Sequence, residues 1–282
     1  MLSYRGLIDE ASNVLYNVCD TPRIDAEYLM QHVINQSMAW LISHGDGAAS
    51  AEHTHQFNQL IEQRSKGVPV AYLIGHRDFW TLRLKVNDHV LIPRGDTEIL
   101  VEQALARLDA TVSHKVLDLG TGSGAIALSI ANERPNSYVT GIDQQQGAID
   151  VAKANATDNR ISNVDFIRSN WYAEVANQQF DLIASNPPYI EPGDPHLEQG
   201  DLRYEPTSAL VAAEHGFEDL RAIIEGAPVR LVSGGWLLLE HGCQQAEEVA
   251  SMLEGKGFNN ISLYADLNHL PRCTAAQWGI ES

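Results

Sequence analysis

The chain has 282 residues, enough for one large domain or for a main domain with a smaller partner, and its 44% hydrophobic and 20% charged residues are typical of a folded globular protein. It contains no apolar run of membrane-spanning length, and residues 1–14 lack the apolar core of a signal peptide, so we expect a cytoplasmic location. The three cysteines are far apart and form no CxxC pair, so neither a disulfide framework nor a metal site is predicted, and the net charge of −18 disfavours a surface that binds nucleic-acid phosphates.

The N-terminal residues 1–75 are predicted to form a small helical domain. Apolar residues recur at helical spacing in residues 25–35, and residues 57–67 end in basic side chains and a glycine, which suits a helix C-terminus. Polar turns such as residues 43–50 separate these segments. The pieces are short, which favours a compact bundle of small helices.

Residues 76–92 are predicted to form a β-hairpin linker. Apolar and polar side chains alternate from residue 80 to residue 86, which is the pattern of a half-buried strand. The Asn-Asp pair at 87–88 predicts a turn into a second strand at 89–92.

Residues 93–282 are predicted to form an α/β domain. Helical spacing runs from residue 97 to 108, and from residue 115 onward strand-like and helix-like segments alternate, which indicates βαβ units around a parallel, Rossmann-like sheet. The predicted strands are 115–119, 138–142, 164–168, 181–185 and 236–240, with two late strands near 260–264 and 275–281. The predicted helices are 124–134, 146–158, 216–233 and 244–257.

A glycine-rich loop follows the first strand of this domain. The sequence VLDLGTGSGAIAL places Gly120, Gly122 and Gly124 between strand and helix, where glycine lets the backbone turn tightly and approach a ligand. Asp143 ends the next strand and can accept hydrogen bonds from ribose hydroxyls. The loop predicts a nucleotide-like ligand but leaves its identity open, because the GxGxxG/A pattern of dinucleotide enzymes is also satisfied. Asp118 suits the cation S-adenosylmethionine better than a pyrophosphate.

The tetrad Asn186-Pro187-Pro188-Tyr189 directly follows the predicted strand DLIAS. Because the carboxyl ends of parallel strands meet at one edge of a sheet, the tetrad and the glycine loop are expected to be neighbours. A Pro-Pro pair can simply end a strand. Four specified residues in this position, combined with the glycine loop, favour a binding function.

The residue types of the tetrad suit methylation of a planar nitrogen. The Asn186 side-chain oxygen and the Pro187 carbonyl can accept both N–H groups of an amide, while proline fixes φ and adds no competing donor. These hydrogen bonds strengthen as the nitrogen becomes positive in the transition state, and Tyr189 can pack on the planar group. Adenine N6, cytosine N4 and the glutamine amide all fit, so the tetrad does not identify the macromolecule that is methylated.

The chain resembles the HemK/PrmC family, the peptide chain release factor glutamine methyltransferases, along essentially its whole length. The supporting segments are GVPVAYLIGHRDFW (67–80), VLIPRGDTEILVEQAL (90–105), VLDLGTGSGAIAL (116–128), SNPPYI (185–190), RYEPTSALVA (203–212) and LLLEHG (237–242). The resemblance implies a small N-terminal helical domain that recognises the substrate, a hairpin linker and a seven-stranded class I methyltransferase domain. It also implies S-adenosylmethionine as cofactor. The implied substrate is the glutamine of the GGQ motif in class 1 release factors, whose methylation modulates translation termination.

The resemblance also assigns roles to individual residues. The implied cofactor-binding residues are Gly120, Thr121, Gly122, Ser123, Gly124, Asp143, Trp171 and Asn186. The glutamine would be held by Asn186, Pro187, Pro188 and Tyr189, of which Asn186, Pro187 and Tyr189 are assigned to catalysis. Two positions depart from the family pattern. Gly95 replaces the second proline of Pro-Arg-Pro, which implies a more mobile loop, and Asn170 replaces the usual Asp before Trp171, which removes an acceptor for the adenine amine.

Three alternatives compete with this assignment. An amino-methyltransferase acting on DNA or RNA shares the tetrad but should carry a basic recognition surface. Residues 1–93 hold 7 basic and 10 acidic residues, and residues 94–282 hold 12 and 27, with no basic stripe. A nicotinamide-dependent dehydrogenase leaves the tetrad unexplained. A non-catalytic adaptor that binds release factors is disfavoured by the intact loop and tetrad.

Overall fold

The computed structural model describes residues 2–198 and 200–279. These residues fall into two compact units. The first contains the chain up to His76 together with Pro195–Tyr204, and the second contains Arg77–Asp194 and the chain from Glu205 onward. A short segment after the tetrad therefore packs within the N-terminal unit, although the residues on both sides of it belong to the second unit. No helix in the described ranges is long and apolar enough to cross a membrane.

The described residues of the N-terminal unit form five α-helices. They are α1 (Tyr4–Leu15), α2 (Pro22–Ile34), α3 (Met38–His44), α4 (Ala51–Ser65) and α5 (Val70–Ile74). The hydroxyls of Ser3, Ser37 and Ser50 cap α1, α3 and α4 by accepting hydrogen bonds from backbone N–H groups of the first turn. The predicted helix at 25–35 corresponds to α2, and that at 57–67 to the second half of α4. Fully buried side chains of this unit include Leu15, Leu29, Met30 and Phe57.

A buried ion pair joins distant parts of the N-terminal unit. Arg64 is only 6% exposed, and its Nε donates to Asp25 Oδ2 over 2.7 Å. Its Nη1 donates to Asp201 Oδ1 over 3.0 Å. The Tyr204 hydroxyl donates to the Lys66 carbonyl beside it. Polar contacts from α4 and the following turn thus hold the 195–204 segment within this unit.

The hairpin is shorter than predicted, and its turn lies elsewhere. Strands β1 (His76–Phe79) and β2 (Leu82–Lys85) meet at Trp80, whose φ of 54° lies in the left-handed region. A turn does lie at the predicted position, because the Val90 N–H donates to the Asn87 carbonyl over 3.1 Å, but it does not close the hairpin, and the second strand predicted at 89–92 is wrong. The Asn87 side chain also accepts a hydrogen bond from the backbone N–H of His89, which ends the hairpin and starts a loop through residues 89–92.

The second unit contains a seven-stranded sheet flanked by helices. Its strands are β3 (Lys115–Leu119), β4 (Tyr138–Asp143), β5 (Val164–Arg168), β6 (Phe180–Ser185), β7 (Leu231–Glu240), β8 (Asn259–Ala265) and β9 (Pro271–Gln277). Their order is β5-β4-β3-β6-β7-β9-β8, with β9 antiparallel to both neighbours. The helices are α6 (Thr97–Leu105), α7 (Ala125–Glu133), α8 (Gln146–Asp158), α9 (Ala213–Gly216), α10 (Glu218–Gly226) and α11 (Ala246–Lys256). Strand order reverses between β3 and β6, so a crevice is expected where their carboxyl ends diverge.

The predicted bounds in the second unit differ most from the structure at the helix predicted at 216–233, the strand predicted at 236–240 and the late strand predicted at 275–281. The helix predicted at 216–233 is wrong beyond Gly226, because β7 already begins at Leu231. The pairing of β6 with β7 shifts register between Phe180 and Leu182. This irregularity accommodates Gly234 and Gly235 within β7, although two glycines in the sequence resemble the end of a strand. The late strand predicted at 275–281 begins earlier, at Pro271, and its last two positions lie outside the described residues.

The core of the second unit lies on both faces of the sheet. Along β3, Val116 packs on one face while Leu117 and Leu119 pack on the other, as the two-residue period of a strand requires. Helices α6, α7 and α8 cover the first face, and α10 and α11 cover the second. Both faces of the central strands are thereby buried, which leaves their carboxyl ends as the accessible edge.

Candidate active site

A cavity opens at the carboxyl ends of the central strands. Its lining comes from the loops after β3, β4, β5 and β6, from the loop after the hairpin and from α10. The lining residues are His89, Val90, Leu91, Gly120, Gly122, Ile142, Asp143, Gln144, Gln145, Ser169, Asn170, Trp171, Asn186, Pro188, Ser208, Ala209 and Asp219. Of the sequence-predicted residues, Gly120, Gly122, Asp143, Trp171, Asn186 and Pro188 line it. No group of three or more His, Cys, Asp or Glu side chains in the described chain could hold a metal ion.

The glycine loop presents bare backbone to the cavity. Gly120 and Gly122 have φ of 72° and 53°, a region in which a side chain is strained. A Cβ at Gly120 would lie 3.7 Å from the ring of Trp171, so this glycine keeps the space beside the indole open. The Gly122 N–H donates to Asp143 Oδ2 over 3.0 Å, which fixes the loop against the end of β4.

Three predicted cofactor residues lie behind the cavity lining. The Thr121 hydroxyl donates to Asp118 Oδ2 over 2.6 Å, and its N–H donates to the Ile142 carbonyl. The Ser123 carbonyl accepts a hydrogen bond from the Asn155 side chain. Gly124 precedes α7, and a Cβ there would lie 3.0 Å from a Leu128 methyl group. These positions shape the loop, and their direct contact with a cofactor stays a prediction.

Asp118 is a structural carboxyl and does not line the cavity. It is fully buried, and burial raises its pKa to about 7. Its Oδ2 accepts hydrogen bonds from the Thr121 hydroxyl and the Ala127 N–H, which tie the loop to the first turn of α7. Asp118 therefore does not contact a ligand in the cavity directly, so such a contact does not support the preference for a cation that was inferred from it in the sequence.

Asp143 is held rigidly at the end of β4. Its Oδ2 accepts from the Gly122 N–H, and its Oδ1 accepts from the Gln145 N–H over 2.8 Å. Burial raises the pKa of this carboxyl, while the backbone hydrogen bonds counteract the rise. Each carboxylate oxygen keeps a free lone pair, so Asp143 can still accept hydrogen bonds from two hydroxyls in the cavity.

Trp171 is positioned by its backbone and lies near the carboxyl group of Asp219. Its φ is 44°, in the left-handed region, and its carbonyl accepts a hydrogen bond from the Ser169 hydroxyl. Asp219 also lines the cavity; burial and Glu218 raise the pKa of its carboxyl, and the nearby Trp171 side chain lowers it. Asn170, which departs from the family pattern, lines the cavity beside it. Asp219 was missed in the sequence because an acidic residue in the first turn of a helix is ordinary there.

Two segments named in the resemblance meet at the buried carboxylate of Glu205. Its Oε2 accepts from Arg94 over 2.6 Å, and its Oε1 accepts from the Ile92 N–H over 3.3 Å. This clamp joins the loop after the hairpin to the chain that carries Ser208 and Ala209, both of which line the cavity. Glu205 was not predicted as a site residue from the sequence. The signal that could have indicated it is the presence of both Arg94 and Glu205 in segments that carry the family resemblance, VLIPRGDTEIL and RYEPTSALVA.

The tetrad lies at the end of β6, on the same side of the sheet as the glycine loop. Pro187 is buried, while Asn186, Pro188 and Tyr189 are half-buried. Asn186 Nδ2 donates to Thr97 Oγ1 over 3.1 Å, so Oδ1 is the end of this amide left to accept another hydrogen bond. The Tyr189 hydroxyl lies 3.5 Å from Oε1 of Glu240, and its backbone carbonyl accepts from Gln245.

Relatives with known names identify the family. Residues 7–75 match the family described as PrmC N-terminal domain, and residues 96–199 match Methyltransferase small domain. A Xylella fastidiosa protein named release factor glutamine methyltransferase is 49% identical over 255 residues, which cover 90% of this chain and 93% of that protein. The Escherichia coli protein of the same name is 43% identical over 277 residues, or 98% of this chain and 99% of that protein.

A solved structure supports the fold. The crystal structure of a methyltransferase from Pyrococcus furiosus is 18% identical and has a TM-score of 0.54, with 71% of this chain and 91% of that chain covered. The predicted fold, a seven-stranded class I methyltransferase domain with an N-terminal helical domain, is confirmed. The chain therefore belongs to the HemK/PrmC family of release factor glutamine methyltransferases, as its sequence predicted.

Proposed function

We propose that this enzyme transfers a methyl group from S-adenosylmethionine to the side-chain amide nitrogen of the GGQ glutamine in a class 1 release factor. The observation that carries the proposal is the Asn-Pro-Pro-Tyr tetrad beside a glycine-loop cavity, in a chain with full-length relatives named for this reaction. Such a modification acts on translation termination, which fits a cytoplasmic enzyme.

The residues around the cavity fit S-adenosylmethionine. Gly120 and Gly122 offer close backbone approach, Asp143 offers carboxylate oxygens for ribose hydroxyls, and Trp171 offers an aromatic surface for the adenine. When bound, the cofactor supplies a methyl group on a positively charged sulfur, which is electrophilic. Its positive charge also suits a domain that is strongly acidic overall.

The chain's own part in the reaction is to hold an unreactive nitrogen. An amide lone pair is delocalised into the carbonyl, so the nitrogen attacks only when its substituents are held out of plane. Asn186 Oδ1 and the Pro187 carbonyl accept its two N–H groups, and these contacts strengthen as positive charge develops on nitrogen. The protonated product amide is acidic enough to lose its proton to water, so no general base is needed.

Tyr189 and Pro188 complete the substrate site. The Tyr189 ring packs against the planar amide and keeps water away from the reacting nitrogen. Burial and the neighbouring Glu240 raise the pKa of its hydroxyl, so Tyr189 stays neutral and does not serve as a base. Pro188 lines the cavity without adding a donor that competes for the amide.

The helical domain of residues 1–75, the main part of the N-terminal unit, supplies the second recognition surface in this proposal. One glutamine side chain carries too little information to select a single protein. This unit exposes large apolar side chains, including Val14, Tyr16, Ile24, Tyr28 and Ile42. Since residues 1–93 are close to neutral, docking there depends on shape and apolar contact more than on long-range attraction.

A methyl-transfer assay with labelled S-adenosylmethionine tests the function. The substrates are a purified class 1 release factor, the same factor with its GGQ glutamine changed to alanine, and plasmid DNA. We expect label in the first substrate only. Label in DNA at a comparable rate would favour the nucleic-acid alternative, and equal label in both release factors would exclude the proposed glutamine. If the protein bound neither S-adenosylmethionine nor release factor, both the enzyme and the adaptor alternative would be rejected.

A further inference from the structure

A buried amide side chain connects three backbone segments at the carboxyl edge of the sheet. Gln245 lies between β7 and α11 and is only 9% exposed. Its Nε2 donates to the Tyr189 carbonyl over 3.2 Å and to the Gly216 carbonyl over 3.3 Å. Its Oε1 accepts from the Gly242 N–H over 2.9 Å. One amide thus joins the end of the tetrad to the chain after β7 and to the turn before α10.

The orientation of this amide is fixed by its partners. A backbone N–H can only donate and a backbone carbonyl can only accept, so Oε1 must face Gly242 and Nε2 must face the two carbonyls. Turning the amide over would place donor against donor and acceptor against acceptor. Both N–H groups of Nε2 are used in the observed orientation, so the buried amide of Gln245 is satisfied.

Gln245 does not serve the helix that it precedes. It is the N-cap residue of α11, a position where a short polar side chain usually accepts a hydrogen bond from the first turn. The Gln245 side chain makes no such capping bond. It reaches instead to Tyr189, 56 positions earlier in the chain. Its contacts therefore organise segments that are distant in sequence.

The turn at Gly216 packs directly on the backbone of the tetrad. Glu214, His215 and Gly216 have φ of 51°, 57° and 85°, so three consecutive residues are left-handed. Such backbone persists only where its surroundings hold it in place. A Cβ at Gly216 would overlap the Tyr189 carbonyl oxygen. The carbonyl of Tyr189 is therefore held between this turn and the Gln245 amide.

The Tyr189 ring takes its position mainly from the tyrosine backbone. The hydroxyl lies 3.5 Å from Oε1 of Glu240, which is long for a hydrogen bond between two oxygen atoms. The ring is only partly buried against the core on the second face of the sheet. Neither contact locks the side chain, so a shift of the backbone moves the ring as well.

We propose that Gln245 is a positioning residue which holds the Tyr189 backbone so that the tyrosine ring covers the planar amide of the substrate. The inference rests on the proposed function, which assigns this ring to the substrate glutamine. Gln245 is not among the residues that line the cavity, so it acts only through Tyr189. Its loss should lower turnover of release factor and leave the affinity for S-adenosylmethionine unchanged, because the cofactor residues lie on other loops.

Gln245→Met removes the three hydrogen bonds with little change in the length of the side chain. Turnover of release factor at saturating S-adenosylmethionine should fall about 10–100-fold, because a displacement of about 1 Å in a catalytic site costs factors of this size. The dissociation constant of S-adenosylmethionine, measured by calorimetry, should stay at its wild-type value. Turnover at the wild-type rate would overturn the proposal.

Asn163→Leu is the matched control for the lost hydrogen bonds. The Asn163 amide donates to the backbone carbonyls of Ala131, Arg134 and Ser137, just before β5 and at the opposite edge of the sheet from the tetrad. Both variants should lose stability in urea unfolding, while Asn163→Leu keeps the wild-type turnover. If both variants lose turnover in proportion to their loss of stability, Gln245 has no positioning role.

Gly216→Ala displaces the same carbonyl from the other side and leaves the residue at 245 unchanged. It should reproduce the loss of turnover at unchanged cofactor affinity. Gly257→Ala is its control, because Gly257 has φ of 93° and a Cβ there would lie an ordinary 3.7 Å from Trp278. The control has the strained backbone without the overlap and should turn over like wild type. An equal loss in both alanine variants would contradict the proposal.

Hydrogen exchange gives a readout that needs no substrate. The Ile190 N–H donates to the Leu210 carbonyl over 2.9 Å, and the Ala212 N–H donates to the Ile190 carbonyl over 3.0 Å. Peptides that contain these two N–H groups should exchange faster in Gln245→Met and at the wild-type rate in the asparagine control. Unchanged exchange in Gln245→Met would overturn the inference. Faster exchange in an enzyme that fails to methylate release factor would support the hold on Tyr189 and contradict the proposed function alone.

Discussion

Asn186 should govern turnover more than cofactor binding. Its Nδ2 is engaged by Thr97 and its Oδ1 is the free acceptor. Asn186→Ala removes one preorganised contact to the reacting nitrogen, so we expect turnover to fall about 10²–10³-fold. Single-turnover methylation of release factor and calorimetry with S-adenosylmethionine give the two quantities. A turnover within threefold of wild type would contradict the role proposed for this side chain.

Asp143 should govern cofactor affinity. Asp143→Ala removes a charged acceptor and frees the Gly122 N–H, so the binding free energy should weaken by about 1.5–3 kcal/mol. Asp143→Asn keeps one acceptor oxygen for that N–H and should lose less. Calorimetric titration with S-adenosylmethionine measures both variants. Equal and unchanged dissociation constants would mean that the cofactor does not contact Asp143.

Asp118 should make stability depend on pH. Burial raises its pKa from 3.8 to about 7, so the folded protein holds a proton there that the unfolded chain releases. The stabilisation is fully present below pH 3.8 and is lost as the pH rises through about 7. Urea unfolding should therefore give a lower free energy of unfolding at pH 8 than at pH 5.

Asp118→Asn is the control for this pH dependence, because its amide has nearly the same shape and does not titrate. The difference in stability between pH 5 and pH 8 should shrink in this variant. Some difference should persist, since burial also raises the pKa of Glu240 to about 7. If wild type and variant have parallel pH profiles, the proton held at Asp118 does not contribute.

At the scale of elements, the Arg64 ion pair should be a main support of the N-terminal unit. Arg64→Met leaves Asp25 buried without its partner, so we expect a loss of about 3–5 kcal/mol in the free energy of unfolding. Asp201→Asn breaks only the outer contact, to a side chain that is 40% exposed, and should cost less than about 1 kcal/mol. Similar losses in both variants, measured by urea unfolding, would contradict this ranking.

Elements with strong local signals were predictable from sequence. Strands β3 and β5 and helix α8 coincide with their predicted bounds, because apolar runs or helical spacing end at clear turn residues there. The turn of the hairpin was predicted in the wrong place because apolar and polar residues alternate from Trp80 onward, as in a strand. That pattern does not show that Trp80 itself has the left-handed backbone of the turn. Local patterns also cannot show a register shift, which is why the start of β7 was missed.

The candidate site was predictable only where it follows a strand. The glycine loop, Asp143 and Asn186 each end a parallel strand, so topology brings them to one edge. Thr97 and Asp219 come from the first turns of helices distant in sequence. Their positions beside Asn186 and Trp171 depend on tertiary packing, which a single sequence does not reveal.

At the scale of the whole molecule, apolar docking on the N-terminal unit should determine affinity for release factor. Val14 and Tyr16 are 56% and 74% exposed in that unit. Changing both to serine should raise KM for intact release factor about tenfold or more, if they lie at the centre of the contact. Cofactor affinity should not change, and a short Gly-Gly-Gln peptide should remain an equally poor substrate for both forms.

The second unit offers a matched control for the docking surface. Val229 and Tyr138 are 67% and 44% exposed there, and changing both to serine removes the same two side-chain types. This variant should keep the wild-type KM. If KM rose more in the control variant than in the Val14 and Tyr16 variant, we would conclude that release factor docks on the second unit. Weak dependence of KM on salt is also expected, since residues 1–93 are nearly neutral.

The excursion of the chain at 195–204 limits how this enzyme can be recombined with its relatives. The chain leaves the second unit after Asp194 and rejoins it at Glu205, with its Asp201 bound to Arg64 in between. A chimera with one crossover near residue 76 would pair a foreign N-terminal unit with a native 195–204 segment, and the two would not have been selected together. Exchange of the N-terminal unit therefore requires two coordinated junctions, and natural variation at Arg64 and Asp201 should be inherited as one block.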